Sequence, residues 1–200
     1  IATDINIGPI SRAEENIDDH DLSGDIEIRL SDGLKMIEPG EADSVVMAGM
    51  GGNLMIEILI RDSDVAGSIR EFIFQPQSET AKLRHYLQDA GFRIVSEVMV
   101  LEDEKYYPMI KAVHGEMAWD REIYFIYGKI LLREKDPVLH QFLIEEKNHY
   151  TSLYRDLTCF DPTFNVRDRM KEIGDILHYN EEALEIMNSI NPVEIDRKIR

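Results

Sequence analysis

Asp43-Ser44-Val45-Val46-Met47-Ala48-Gly49-Met50-Gly51-Gly52 decides how the rest of this 200-residue chain is read. The apolar run Asp43–Ala48 fits a buried strand. The turn after it sets three glycines in four positions, and Gly51–Arg61 then carries Leu54, Ile58 and Leu59 at helical spacing. Strand, bare turn and helix in succession form the repeating unit of a parallel sheet covered by helices. Upstream, Ile1–Ile5 and Asp25–Leu30 read as strands on either side of a helix, Gly8–His20, with Ile10, Ala13 and Ile17 on one face. Downstream, Glu71–Phe74 reads as a strand and Glu79–Ala90 as a helix closed by Gly91. Phe92–Leu101 and Lys105–Val113 follow with no helix between them, which predicts an antiparallel pair at the edge of the sheet. The fold class is α/β.

The pattern changes after residue 132. Leu139, Phe142, Leu143, Tyr150, Leu153 and Leu157 recur at helical spacing from Pro137 to Leu157. Met170, Ile173, Leu177, Leu184 and Met187 do the same from Arg167 to Ser189. Between them, Cys159–Phe164 contains the turn signal Asp161-Pro162. This predicts an antiparallel helical hairpin, and a division into a sheet domain, residues 1–132, and a coiled-coil-like hairpin, residues 133–200. Two ordinary helices packed on the main domain are the alternative.

Composition narrows the function classes. A hydrophobic content of 44% supports a real core, and no apolar run approaches the roughly 18 residues of a membrane span. One cysteine, Cys159, rules out a disulfide framework within the chain and suits the cytoplasm. The histidines at 20, 85, 114, 140, 149 and 178 do not cluster at ligand spacing, and Glu102-Asp103-Glu104 reads as a solvated turn, so no metal is expected. The formal charge of −17 weighs against a nucleic-acid binder, but it is unevenly spread. Residues 1–120 hold 24 acidic and 10 basic side chains, whereas residues 121–200 hold 15 and 12. Basic patches, such as one including Arg167, Arg169 and Lys171, are possible in the second part.

Ligands of an open parallel sheet bind at the carboxyl ends of its strands. Four stretches meet that condition: Thr3-Asp4-Ile5-Asn6, Ser31-Asp32-Gly33, Ala48–Gly52 and Gln75-Pro76-Gln77. Asp4 can accept hydrogen bonds from a ribose diol, or simply cap a helix. Asp32 can accept from an adenine amino group, or sit in an ordinary Asp-Gly turn. The glycines can cradle a ligand, or allow close strand–helix packing; no Gly-Lys-Ser/Thr follows, which excludes a phosphate loop. The glutamine amides both donate and accept, which suits the edge of a base. An acid such as Asp4 normally closes the second strand of a Rossmann-like sheet, so the opening strand and its Gly-rich loop are expected to be missing from this chain.

Taken in order, Gly8-Pro9, Arg29–Leu34, Ala48-Gly49-Met50-Gly51-Gly52, Gln75-Pro76 and Lys105 with Tyr107 resemble the bacterial tRNA (adenine-N1)-methyltransferases that act at adenine 22. Tyr127-Gly128 followed by Leu131-Leu132 is similar to a segment of the same family. The resemblance implies a class I methyltransferase sheet with a C-terminal helical hairpin, S-adenosylmethionine as cofactor and tRNA as partner. It implies that Asp4 holds the cofactor ribose, that Ile5 lies against its adenine, and that Asp32 and Gly33 sit at that ring. Gly49 and Met50 would lie near the methyl donor and target base, with Gln75, Pro76, Lys105 and Tyr107 on the substrate side. The chain departs from the family where Pro108-Met109 replaces an acid after the tyrosine and where Lys129 replaces a proline. A Rossmann-type oxidoreductase, with Asp4 on an NAD ribose, and a non-catalytic partner protein using the hairpin are the competing readings.

Overall fold

The computed structural model describes residues 1–159 and 164–189. The chain opens with β1 (Ala2–Asp4), α1 (Ile7–Asp19) and β2 (Ile28–Leu30). β1 and β2 pair in parallel, Asp4 opposite Leu30, and form a sheet of their own. β2 is shorter than its alternating sequence predicts. The amides of Asp25 and Ile26 both donate to the carbonyl of Leu22, which holds the start of that segment in a turn.

A second sheet has the order β3 (Ser44–Met50), β4 (Glu71–Pro76), β6 (Lys105–His114), β5 (Phe92–Glu102). β3 and β4 are parallel, while β6 is antiparallel to both β4 and β5. Between these strands run α2 (Gly52–Arg61), the short α3 (Ser63–Ser68) and α4 (Thr80–Asp89). The β5–β6 turn is Asp103-Glu104, both in the left-handed region (φ 47° and 60°). Two successive positive φ values match the right-handed twist of a tight hairpin, so these two acids of the Glu102–Glu104 run form the turn itself.

This sheet holds the main core. Phe72 and Phe74 of β4, Ile110 and Ala112 of β6, and Leu83 and Leu87 of α4 are fully buried. Phe72 stacks on Phe74 at 5.6 Å and meets Phe92 edge-on at 5.5 Å. β1 and β2 contribute little to it: Leu30 is 53% exposed, and Ile5 and Ile7, which follow β1, are 60% and 71% exposed. Among the described residues β1 pairs only with β2, and β3 only with β4, so each leaves one edge of its ladder unpaired there. Val46 on β3 is 66% exposed.

The remaining helices are α5 (Glu122–Tyr127), α6 (Lys129–Glu134), α7 (Pro137–Leu157) and α8 (Phe164–Asn188). α7 begins where its sequence predicts: Asp136 accepts from the amides of Val138 and Leu139, both at 2.9 Å, and Pro137 occupies the first turn. α7 and α8 pack together, and the turn predicted at Cys159–Phe164 falls largely outside the described residues. A second core unites Ile123, Tyr124, Leu131 and Leu132 of the short helices with Leu139, Leu143, Ala183 and Ile186 of the long ones. Inside it, Asn180 donates to the Leu143 carbonyl and the Glu146 carboxylate, both at 2.9 Å. Tyr127 donates to the same carboxylate at 2.6 Å, and burial followed by that negative charge pushes its hydroxyl pKa well above the usual range.

The two cores are joined by a buried ion pair. Arg84 of α4 donates from Nε to Glu97 of β5 at 2.8 Å, with the side chains 1% and 0% exposed. Arg84 Nη1 donates to the carbonyls of Phe125 and Ile126, and Glu97 Oε2 accepts from the amide of Ile130. Gly128 (φ 93°) lies over this cluster; a Cβ there would stand 2.7 Å from Glu97 and 2.9 Å from Arg84. Among the described residues, no helix is long and apolar enough to cross a membrane.

Candidate active site at the β3 and β4 ends

The glycine-rich turn after β3 divides into two kinds of position. A Cβ on Gly52 would meet the backbone of Glu79 at 2.6 Å, and one on Gly51 would meet Ser78 Oγ at 2.8 Å. The Gly52 amide donates to the Ser78 carbonyl at 2.8 Å. These two glycines let the start of α2 press against the β4–α4 loop, which is the packing reading. Gly49 differs. It has φ 77°, where an L side chain is strained, and the position of its absent Cβ has only Gln77 Nε2 nearby, at 4.0 Å. Its backbone is therefore open to a ligand.

Gly49 and Gln75 are brought together. The Gly49 amide donates to Gln75 Oε1 at 3.0 Å, so Gln75 turns its carbonyl oxygen to the turn. Gln75 Nε2 is buried with no hydrogen-bond partner among the described residues. An orphaned amide donor is costly unless a ligand or water completes it, and it marks this edge as a place for an acceptor. Met50 is in register with Pro76, and the Gln77 amide donates to the Met50 carbonyl at 3.0 Å, so the ends of β3 and β4 form one continuous lip.

Lys105 and Tyr107, at the start of β6, line a cavity of about 410 Å³ with Gln77, Tyr106 and Phe142. Gln77 thus links the Gly49 lip to the residues expected on the substrate side. Phe142 comes from α7 and carried no functional signal in the sequence, where it reads as one apolar position of a helical stripe.

Asp4 and Asp32 form a separate group. The Asp4 carbonyl accepts from the Ser31 amide at 2.9 Å, which sets the two acids on either side of Ser31. Asp4 Oδ1 accepts from the Asn6 amide at 2.7 Å, leaving the other carboxylate oxygen for a hydroxyl ligand. Ile5 is exposed beside it. Asp32 is committed differently from the expectation of an adenine contact: Oδ2 accepts from Lys35 at 2.5 Å and from Arg61 at 3.0 Å. The hydrogen bond from Lys35, assisted by the charge of Arg61, holds its carboxyl below the usual range. Gly33 packs into the same corner, where a Cβ would meet Ile58 at 2.9 Å and Arg61 at 2.8 Å. Ile58 and Arg61 lie in the C-terminal half of α2, a helix about 15 Å long whose other end adjoins Gly49. The structure thus sets Asp32 and Gly33 against Ile58 and Arg61 of α2. Local reasoning could not foresee this, because the Asp-Gly turn carries no sign of the arginine 29 positions later.

For S-adenosylmethionine the fit is two-sided. The open Gly49 backbone, the orphaned Gln75 donor and the free Asp4 oxygen suit a polar nucleoside with a charged tail. Asp32 shares one carboxylate oxygen between Lys35 and Arg61. Among the described residues, no group of side chains is arranged to hold a metal ion. Arg169, proposed above for a basic patch, is paired with Glu172 at 2.9 Å.

Known proteins bear on this arrangement directly. The tRNA (adenine(22)-N(1))-methyltransferase of Bacillus subtilis is 29% identical over 190 residues, covering 92% of this chain and 80% of that protein. The crystal structure of the B. subtilis m1A22 tRNA methyltransferase superposes with a TM-score of 0.79 at 28% identity, over 92% of this chain and 80% of that one. Streptococcus pneumoniae Sp1610 in complex with S-adenosyl-L-methionine gives 0.80 at 27% identity, over 92% and 79%. The sequence profile of the tRNA (adenine(22)-N(1))-methyltransferases matches residues 1–182, through both sheets and into α8. With the bare Gly49 turn, the Gln75 amide and all of α7 inside that match, this chain belongs to the tRNA (adenine(22)-N(1))-methyltransferase family.

Proposed function

We propose that this protein transfers a methyl group from S-adenosylmethionine to N1 of adenine 22 in tRNA. The observation that carries this reading is the family match over residues 1–182, which takes in every strand end described above. In this reading residues 1–132 hold the cofactor and the chemistry, and α7 and α8 form the hairpin. A tRNA substrate sets the work in the cytoplasm.

S-adenosylmethionine supplies an electrophilic methyl group. Adenine N1 is a ring nitrogen with an available lone pair, so it can attack without prior deprotonation. The cationic product loses its N6 proton readily, and a general base is not obligatory at the attack. What remains for the protein is orientation and exclusion of water, which lower the barrier by removing entropy from the encounter. Asp4 would accept from the cofactor ribose. Gly49 would offer unobstructed backbone to the reacting groups, and Gln75 Nε2 a donor to an acceptor atom of ligand or substrate. Lys105 and Tyr107 would line the side from which the RNA enters.

Radiolabelled methyl transfer to transcribed tRNA, with the product mapped by reverse transcription, tests the proposal. Incorporation into wild-type tRNA and none into tRNA carrying guanine at position 22 is expected. With cofactor binding established by calorimetry, a protein that transfers no methyl group refutes the reading. The affinity for tRNA is expected to fall steeply with salt, since phosphate contacts release counterions.

A further inference from the structure

The cavity lined by Lys105 and Tyr107 does not end at β6. A second cavity, of about 240 Å³, shares Gln77, Tyr106 and Phe142 with it and continues past Pro76 to Glu146 of α7. The two form one groove between the lip of the parallel strands and the helical hairpin, and the larger part alone lies within the roughly 300–1,000 Å³ of small-molecule sites. Its walls are chemically distinct. Tyr106 and Phe142 meet edge-on with ring centroids 5.1 Å apart. Phe142 is half-buried, packed on one side against the second core and lining the groove on the other. The Gln77 side chain is exposed, has no hydrogen-bond partner among the described residues, and lies 4.0 Å from the place a Gly49 Cβ would occupy. Lys105 is exposed at one end.

We propose that this groove receives the target adenine after it leaves the RNA stack, with the Gln77 amide reading its N6/N7 edge and Phe142 stacking on its ring. The inference rests on the methyl-transfer reading and adds the means of base selection. An amide pairs bidentately with adenine, accepting from N6 and donating to N7. That geometry leaves N1 unengaged, which the reaction requires, and Gln77 holds the base beside the open Gly49 backbone. An aromatic ring supplies the stacking lost on extrusion. A guanine presents an acceptor in place of the N6 donor, so the same amide cannot pair with it in this way. Since Phe142 belongs to α7, the hairpin forms one wall of the substrate pocket.

The test uses the whole protein and tRNA carrying adenine or 7-deazaadenine at the target position. On the unsubstituted protein, loss of N7 is expected to lower kcat/KM roughly tenfold, the value of one good base contact. Gln77→Ala is expected to lower kcat/KM on normal tRNA roughly tenfold to a hundredfold and to show no further loss on the 7-deaza substrate. Phe142→Leu is expected to lose roughly tenfold through KM, with Phe142→Tyr close to wild type, because the ring and not its bulk does the stacking. Calorimetric binding of S-adenosylhomocysteine, unchanged in all three variants, shows that the fold is intact. The proposal is overturned if Gln77→Ala suffers the same 7-deaza penalty as the unsubstituted protein, or if Phe142→Leu matches Phe142→Tyr. Failure of the unsubstituted protein to methylate tRNA overturns the functional reading itself, and is distinguishable because no reference rate then exists.

Discussion

The two sheets of this protein carry similar strand-end signals but are held by different forces. In β3-β4-β6-β5, every strand but the edge ones has two neighbours, and Phe72, Phe74, Ile110 and Ala112 are fully buried. In β1-β2, three-residue strands pair only with each other and Leu30 is 53% exposed. Besides the buried Leu34 and Ile37 that follow β2, ion pairs tie the small sheet down. Arg29 donates to Glu27 at 2.7 Å, to Glu41 at 2.5 Å and to the Met36 carbonyl at 2.7 Å, while Arg61 reaches Asp32 at 3.0 Å. A two-stranded sheet is marginal in water, and exposed ion pairs contribute little each. The half of the site at the ends of β3 and β4, Gly49 with Gln75, is carried by the larger sheet and fixed by the hydrogen bond between them. The half at the ends of β1 and β2, Asp4 with Asp32, rests on three-residue strands and surface charge.

Substitutions that act on one region and spare the other sharpen this contrast. The largest effect is expected at the junction of the sheet with the helices: Arg84→Met leaves Glu97 buried without its partner and should cost about 3–5 kcal/mol in denaturant unfolding. A shift below about 1 kcal/mol would show that the buried pair does not join the two cores. Next, Ile110→Ala in the large sheet should cost about 2–5 kcal/mol through the cavity it opens. Leu30→Ala in the small sheet should stay within about 0.5 kcal/mol, as for other surface positions. Amide exchange should follow the same order, with Ala2–Asp4 and Ile28–Leu30 exchanging well before Phe72–Phe74. Equal protection in both sheets would break the comparison.

The smallest effect is one of pH. Glu41 is held down to about 2, first by the hydrogen bond from Arg29 and then by the amide of Glu38. A carboxyl whose folded value is depressed contributes stability that is complete above its unfolded value of 4.5 and is lost as pH falls toward 2. Melting temperature should accordingly decline from pH 5 to pH 2, and Arg29→Met should flatten that decline. An unchanged slope in Arg29→Met would mean that the ionic ties of the small sheet do not stabilise it.

Much of this was legible from residue patterns. The strand–turn–helix unit at Asp43–Arg61, the antiparallel pair at β5 and β6, and the start of α7 at Pro137 all follow from apolar spacing and capping chemistry, which act over a few residues. The short helices α3, α5 and α6 were not legible, because six residues are too few to display a helical period. Of the site, the Gly49 turn and Gln75 announced themselves as bare backbone and an amide at strand ends. Gln77 was visible only as one amide among several, and Phe142 only as part of a helical stripe.

The sequence by itself determined the class of fold, the order of its strands and longer helices, and the family, because periodicity, turn chemistry and ordered motifs are written locally along the chain. Tertiary structure alone decided which strand ends meet. It set Gln77 between Gly49 and Phe142, and it gave Asp32 to Arg61. Those outcomes depend on contacts between residues 28 to 65 positions apart in the chain, and no local rule of spacing or propensity encodes where such partners arrive.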